Sequence, residues 1–135
     1  MFFILYTSTS TEQFSEEQLN KLLEKARNNN VKAGVTGMLL YCQRTFIQVL
    51  EGEKESVMQT FNRIKSDVRH TNINVVTSSD TNNRHFTEWS MGFKWIPNEE
   101  FAKIEGLDVV DVQDFLRASK PYKILKLLSR NHWQN

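Results

Sequence analysis

Gly34-Val35-Thr36-Gly37-Met38-Leu39-Leu40-Tyr41 and Thr45-Phe46-Ile47-Gln48-Val49-Leu50-Glu51-Gly52 are two apolar runs separated by little more than the polar pair Gln43-Arg44. Apolar, β-branched runs of this length joined by so short a polar link read as the two arms of a β-hairpin, closed by Gly52. One residue does not fit. Gln48 stands mid-strand among Phe, Ile, Val and Leu, where a side chain is buried. A buried amide costs roughly 1–3 kcal/mol unless its groups find partners. Its two-donor nitrogen and acceptor oxygen can serve two hydrogen-bond patterns in one place.

Working outward, residues 2–8 read as a first strand, with Phe2, Ile4, Tyr6 and Ser8 on one face. Ser15 followed by Glu16, Glu17 and Gln18 opens a helix as a capping box. Leu19, Leu22, Leu23 and Ala26 form its apolar face, and Asn28-Asn29-Asn30 is expected to end it. A second helix is expected from Glu53 to Val68, with Val57, Met58, Phe61, Ile64 and Val68 facing the core and Arg69-His70 at its end. Ile73 to Thr77 reads as a short strand. Phe86 to Trp95 reads as another, with Trp89, Met91, Phe93 and Trp95 alternating on one side. The order βαββαββ predicts an α+β sandwich of ferredoxin-like type, two helices on one face of a mostly antiparallel sheet.

Pro97 ends that unit, giving an expected domain over residues 1–97 and a helical extension over 98–135. In the extension Val112, Phe115 and Leu116 form one short apolar face. Pro121 opens a last helix with Ile124, Leu125, Leu127 and Leu128 on one side and Lys120, Lys123, Lys126 and Arg130 as a basic face. This extension is expected to pack on the sheet or to dock a partner.

The chain has 135 residues, 17 Lys and Arg against 16 Asp and Glu, and a net charge of +1. No global field points to nucleic acid or to a membrane surface. No apolar run approaches a membrane span and no signal peptide is evident, so a cytoplasmic setting is the simplest expectation. One cysteine, Cys42, excludes an internal disulfide and reads as a small strand residue. Three scattered histidines do not make a zinc site.

The polar residues left over are Tyr6, Asn29, Asn30, Gln48, Asp67, Arg69 and His70. Singly, each has a structural explanation as a core tyrosine, a cap or a helix-end charge. Together, in the stretches Leu5-Tyr6-Thr7-Ser8, Gly34 to Tyr41, Phe46 to Gly52, Asp67-Val68-Arg69-His70 and Phe86 to Phe93, the chain resembles the BLUF domains. These are small blue-light sensors that use a flavin. The resemblance implies a noncovalent flavin, normally FAD with FMN as the alternative, held between the two helices. It implies that Tyr6 is the photoactive tyrosine and that Gln48 bridges it to the flavin. Asn29, Asn30 and Arg69 would meet the ring edge, with Asp67 and His70 beside them. Ser8, Phe46, Leu22 and Ile64 would line the pocket, and Trp89 and Met91 would pass the signal on. Light would drive proton-coupled electron transfer from Tyr6 and a rearrangement of the Gln48 amide. The extension is too short for a catalytic output domain, so a separate regulatory protein is the expected partner, with self-association left open. A light-independent interaction module and a small acylphosphatase-like enzyme are the alternatives.

Overall fold

The computed structural model describes residues 1–86, 91–103 and 111–129. Five strands form one sheet in the order β4-β1-β3-β2-β5. They are β1 (Phe2–Ser10), β2 (Thr36–Cys42), β3 (Thr45–Gly52), β4 (His70–Asp80) and β5 (Gly92–Trp95). All neighbours are antiparallel except β2 and β5, which run parallel with Leu39 beside Phe93. Helices α1 (Glu16–Ala33) and α2 (Lys54–Lys65) complete the expected βαββαββ order.

The β2–β3 hairpin turns on Gln43 and Arg44, both at positive φ (51° and 58°), the backbone of a two-residue type I′ turn. Neither residue favours that region, and side-chain bonds hold it in place. The Arg44 guanidinium donates to the carbonyls of Ser10 and Thr11 at 3.0 and 2.9 Å. The Gln43 amide donates to Asn98 O at 3.0 Å and accepts from Val112 N–H at 2.8 Å. The turn is thereby tied to the segment after the sheet.

Alternation along the strands builds two cores. Phe2, Ile4, Tyr6, Leu39, Tyr41, Phe46 and Leu50 face α1 and α2, together with Leu19, Leu23, Val57, Phe61 and Met91. Leu5, Met38, Leu40, Cys42, Ile47 and Val49 face the other way. There they meet Phe101, Val112 and Phe115, with Ile124, Leu127 and Leu128. Val112 and Phe115 belong to α3 (Val112–Ala118), and the last three to α4 (Pro121–Leu128), which Pro121 opens as the sequence suggests.

Several boundaries differ from expectation. Helix α1 begins at the Ser15 capping box, with Gln18 N–H on Ser15 Oγ and Ser15 N–H on Gln18 Oε1. It does not stop at Asn28–Asn30 but runs to Ala33, where Gly34 takes the left-handed conformation (φ 69°). Glycine has no Cβ penalty there, so it outcompetes the asparagines as the stop. Helix α2 ends at Lys65, three residues short, because the Asp67 carboxylate folds back onto Arg69 N–H at 2.9 Å and competes with the helical ladder. Val68 is consequently 86% exposed and not part of the core, and His70 opens β4 instead of ending a helix. β4 is longer than expected at 11 residues; of the expected last strand, β5 covers Gly92–Trp95, while residues 87–90 lie outside the described residues. Trp89 and Arg130 lie outside the described residues.

Candidate functional site

Helices α1 and α2 stand apart over the sheet and leave a groove with two adjoining lobes, each with about 570 Å³ of atom-free space opening to solvent. The inner lobe is mostly apolar: Phe14, Leu22, Leu23 and Ala26 on one wall, Ile64 on the other, Leu39 and Phe46 on the floor. Tyr6, Ser8, Gln48, Asp67, Arg69, His70 and Met91 supply its polar and sulfur atoms. The outer lobe is lined by Lys25, Asn29, Asn30, Thr60 and Arg63 and shares Leu22, Ala26, Gln48, Ile64, Asp67 and Arg69 with the inner one.

Register puts the central pair together. Tyr6 on β1 lies directly opposite Gln48 on β3, so their side chains project side by side into the groove. The Tyr6 hydroxyl donates to Gln48 Oε1. Gln48 Nε2 lies 3.4 Å from Met91 Sδ and donates to it. Sulfur is a weak acceptor, and among the described residues it is the amide nitrogen's one partner. The Phe61 ring edge packs on Tyr6 at 5.0 Å between centroids. Full burial raises the Tyr6 pKa far above that of a free phenol, so the side chain is held as the neutral, proton-bearing form.

A second set fixes the groove's far end. His70 Nε2 lies 2.6 Å from the Ile64 carbonyl, and His70 Nδ1 lies 2.8 Å from Ser8 Oγ. A carbonyl only accepts, so Nε2 carries a proton; in the neutral ring the Ser8 hydroxyl then donates to Nδ1. His70 thereby staples the end of α2 to β1. Asp67 and Arg69 form an ion pair across the turn, and the Arg69 Nε–H lies 2.9 Å from Asp67 Oδ1. The pair bears on the acylphosphatase-like alternative, since Arg69 is engaged by a carboxylate and not held free for an anion with Asn30.

Hydrogen bonds from Arg69, chiefly from its side chain, draw the Asp67 carboxyl down to about 2. A depressed carboxylate pKa stabilises the fold fully above the unfolded value of about 4 and loses that contribution as pH falls through the folded value. The expected result is that wild type and Asp67→Asn differ in urea midpoint at pH 6 and converge between about pH 4 and 2. A gap that stayed constant down to pH 2 would remove Asp67 from this role.

Residues 84–86 and Met91 are each tied to neighbouring elements. The buried Glu51 carboxylate accepts the backbone N–H groups of His85 and Phe86 at 2.7 and 2.8 Å. Arg84 donates to Thr36 Oγ1 and to the carbonyls of Glu51 and Gly34. Arg27 Nε of α1 donates to the Met91 carbonyl at 2.8 Å.

Twelve of the expected site positions therefore line the one groove: Tyr6, Ser8, Leu22, Asn29, Asn30, Phe46, Gln48, Ile64, Asp67, Arg69, His70 and Met91. Asn30 is buried and Asn29 half-buried, both within α1 and not beyond its end. Trp89 lies outside the described residues. Cys42 belongs to the opposite core, away from the groove, and burial pushes its thiol up to about 12. The expectations missed Phe14, Leu39, Thr60, Lys25 and Arg63. Helical spacing from Ile64 and Asn29 would have found Thr60 and Lys25, each four residues upstream on the same face.

The donor set suits a flavin. The groove offers flat apolar walls for a ring system, with amides at one end of it. Among the described residues the Gln48 donor is served only by sulfur, and Thr60, 2% exposed, has no hydrogen-bond partner for its hydroxyl. Such groups are costly when empty and natural when a polar ligand meets them.

Comparison with known proteins agrees with the geometry. The family described as "BLUF: Sensors of blue-light using FAD" matches residues 1–92. Over 89 residues the chain is 32% identical to photoactivated adenylate cyclase subunit beta of Euglena gracilis, covering 65% of this chain and 10% of that protein. Over 70 residues it is 31% identical to the blue light- and temperature-regulated antirepressor BluF of Escherichia coli (strain K12), covering 52% of this chain and 17% of that protein. The chain thus spans about a tenth of the length of the cyclase subunits it matches. The solved ground state of BlsA superposes with a TM-score of 0.79 at 26% identity, covering 99% of this chain and 91% of that one. A bacterial light-regulated adenylyl cyclase superposes at 0.73 with 29% identity, covering 93% of this chain and 36% of that one.

Proposed function

Since the chain belongs to the BLUF family of blue-light flavin sensors, we propose that Tyr6 and Gln48 are its photoactive pair, that FAD is its flavin, and that Met91 relays their state. The observation that carries this reading is the continuous chain Tyr6 hydroxyl, Gln48 amide, Met91 sulfur on the floor of the groove. A bound flavin excited by blue light supplies a one-electron acceptor beside that chain.

The residues do the rest. Burial disfavours a charged Tyr6, so its electron leaves only if its proton moves too. Gln48 Oε1 already accepts that proton's hydrogen bond and is the natural recipient. The amide satisfies every partner in one arrangement only: oxygen towards the phenol, nitrogen towards sulfur. Rotated, it sets an oxygen against Met91 Sδ, and sulfur has no proton to give. A rearranged amide thus expels or displaces Met91, and the displaced state stores the cost that drives the dark return. No covalent bond is needed in either direction. Asn30, Asn29 and Arg69 hold the ring edge, while Leu22, Ile64 and Phe46 enclose its faces.

Output follows from position. Met91 immediately precedes β5, whose parallel partner β2 contributes Met38, Leu40 and Cys42 to the core shared with α3 and α4. We assign residues 98–135 to an extension that carries the change to a separate regulatory protein. No helix among the described residues is long and apolar enough to cross a membrane.

The direct test is the absorption spectrum of the purified, flavin-loaded protein. A reversible red shift under blue light, without bleaching, is expected. A protein that stays colourless with ample flavin would sink the reading. For the relay, Met91→Ala is expected to keep the red shift yet lose the light-minus-dark difference in amide exchange over residues 112–128. Retention of both would remove Met91 from the path.

A further inference from the structure

The outer lobe of the groove carries more positive charge than its ring-holding role needs. Lys25 projects from α1 and Arg63 from α2, and both line this lobe. Among the described residues neither side chain has an ion-pair or hydrogen-bond partner. Asp67, the one acid lining the lobe, is already neutralised by Arg69. Two uncompensated cations thus face one opening on a chain whose net charge is only +1. Thr60 lines the same lobe, buried and with its hydroxyl unpartnered among the described residues. An unpaired buried hydroxyl in one lobe with two uncompensated cations marks a ligand that passes a hydroxyl or ether oxygen at depth and ends in an anion at the surface.

We propose that Lys25 and Arg63 form a phosphate subsite for the phosphate joined to the flavin's side chain, with Thr60 binding a hydroxyl of that chain. The inference rests on the flavin reading of the same groove and extends it to residues outside the photoactive set. It sets the phosphate at the exposed cations and leaves the apolar walls, with Asn29, Asn30 and Arg69, to the ring. It also makes the site a selector. Flavins bearing the phosphate, FMN and FAD, gain two charge-assisted contacts that riboflavin cannot make. Because both cations are exposed, the gain is screened by salt.

The test is titration of the full chain, stripped of flavin, with riboflavin, FMN and FAD, read by quenching of flavin fluorescence. In low salt, FMN and FAD are each expected to bind roughly tenfold more tightly than riboflavin, the scale of two solvent-screened charge contacts. About 1 M salt should erase most of that difference. In Lys25→Gln/Arg63→Gln the advantage should vanish while riboflavin affinity stays, which also shows that the groove is folded. Lys32→Gln, a surface cation away from the lobe, should change nothing. Thr60→Val should weaken all three ligands alike. Equal affinity of FMN and riboflavin in wild type would overturn the proposal. So would a loss shared by riboflavin in the double variant, or an advantage confined to FAD, which would place the contact beyond the first phosphate. Failure of all three flavins to bind would instead sink the flavin reading itself.

Discussion

Gln48→Leu is expected to abolish the reversible red shift while leaving a folded protein that still takes up flavin. Leucine fills nearly the volume of the glutamine between Phe46 and Leu50, so the floor of the groove keeps its shape. What it removes is, among the described residues, the only acceptor of the Tyr6 hydroxyl and the only donor to Met91 Sδ. The phenol is 1% exposed and loses its partner, a cost of about 1–3 kcal/mol. Burying a leucine in place of an amide offsets much of it. Stability should therefore move little, and photochemistry should move completely. Absorption spectra before and after blue illumination, with thermal melts alongside, separate the two. A shift of normal size and normal recovery in this variant would show that the amide is not the switch, whatever its position.

The second large effect is structural and falls on a residue with no polar chemistry. Gly37 of β2 packs so closely on β3 that a Cβ there would overlap the Val49 carbonyl oxygen and stand 3.3 Å from Met91 Cε. The first obstacle is backbone of the central strand, which cannot rotate away. Gly37→Ala must therefore displace β2 or β3, at an expected cost of about 3 kcal/mol or more, above the usual range for overpacking. For a chain of this size that corresponds to a fall of about 10 °C in Tm. Calorimetry or a thermal melt decides it; a change of only a degree or two would mean that the strands can separate cheaply. A milder outcome, with the fold retained, should still alter dark recovery, since the new methyl presses on Met91.

Much of this was legible in the chain because the chemistry sits on regular elements. Strand alternation alone placed Tyr6, Phe46, Gln48 and Leu50 on one face, and the capping box placed the start of α1. The misreadings share one cause. Asn28–Asn30, Val68 and Arg69-His70 lie where local preference and tertiary context compete. Asparagine tolerates a helix end, but Gly34 tolerates it better and Asn30 is buried within the helix. Val68 fits a helical period, yet the Asp67 side chain stops the helix before that period matters. Thr60, Lys25 and Arg63 went unnoticed because an unpaired hydroxyl or cation is a property of the folded groove, not of composition. The Ser8–His70–Ile64 staple joins three elements and could not be seen before they were brought together.

The two cores share the backbone of β3, where Gln48 faces one and its neighbours Ile47 and Val49 face the other. That arrangement carries a thermodynamic obligation. If rearranging the amide changes how tightly the far side holds its helices, and through them a partner, then partner binding must bias the amide by the same factor. A bound effector would therefore lengthen or shorten the life of the illuminated state. The rate at which the colour fades in the dark then becomes a gauge of what is docked on the opposite side of the sheet, readable without labelling either protein.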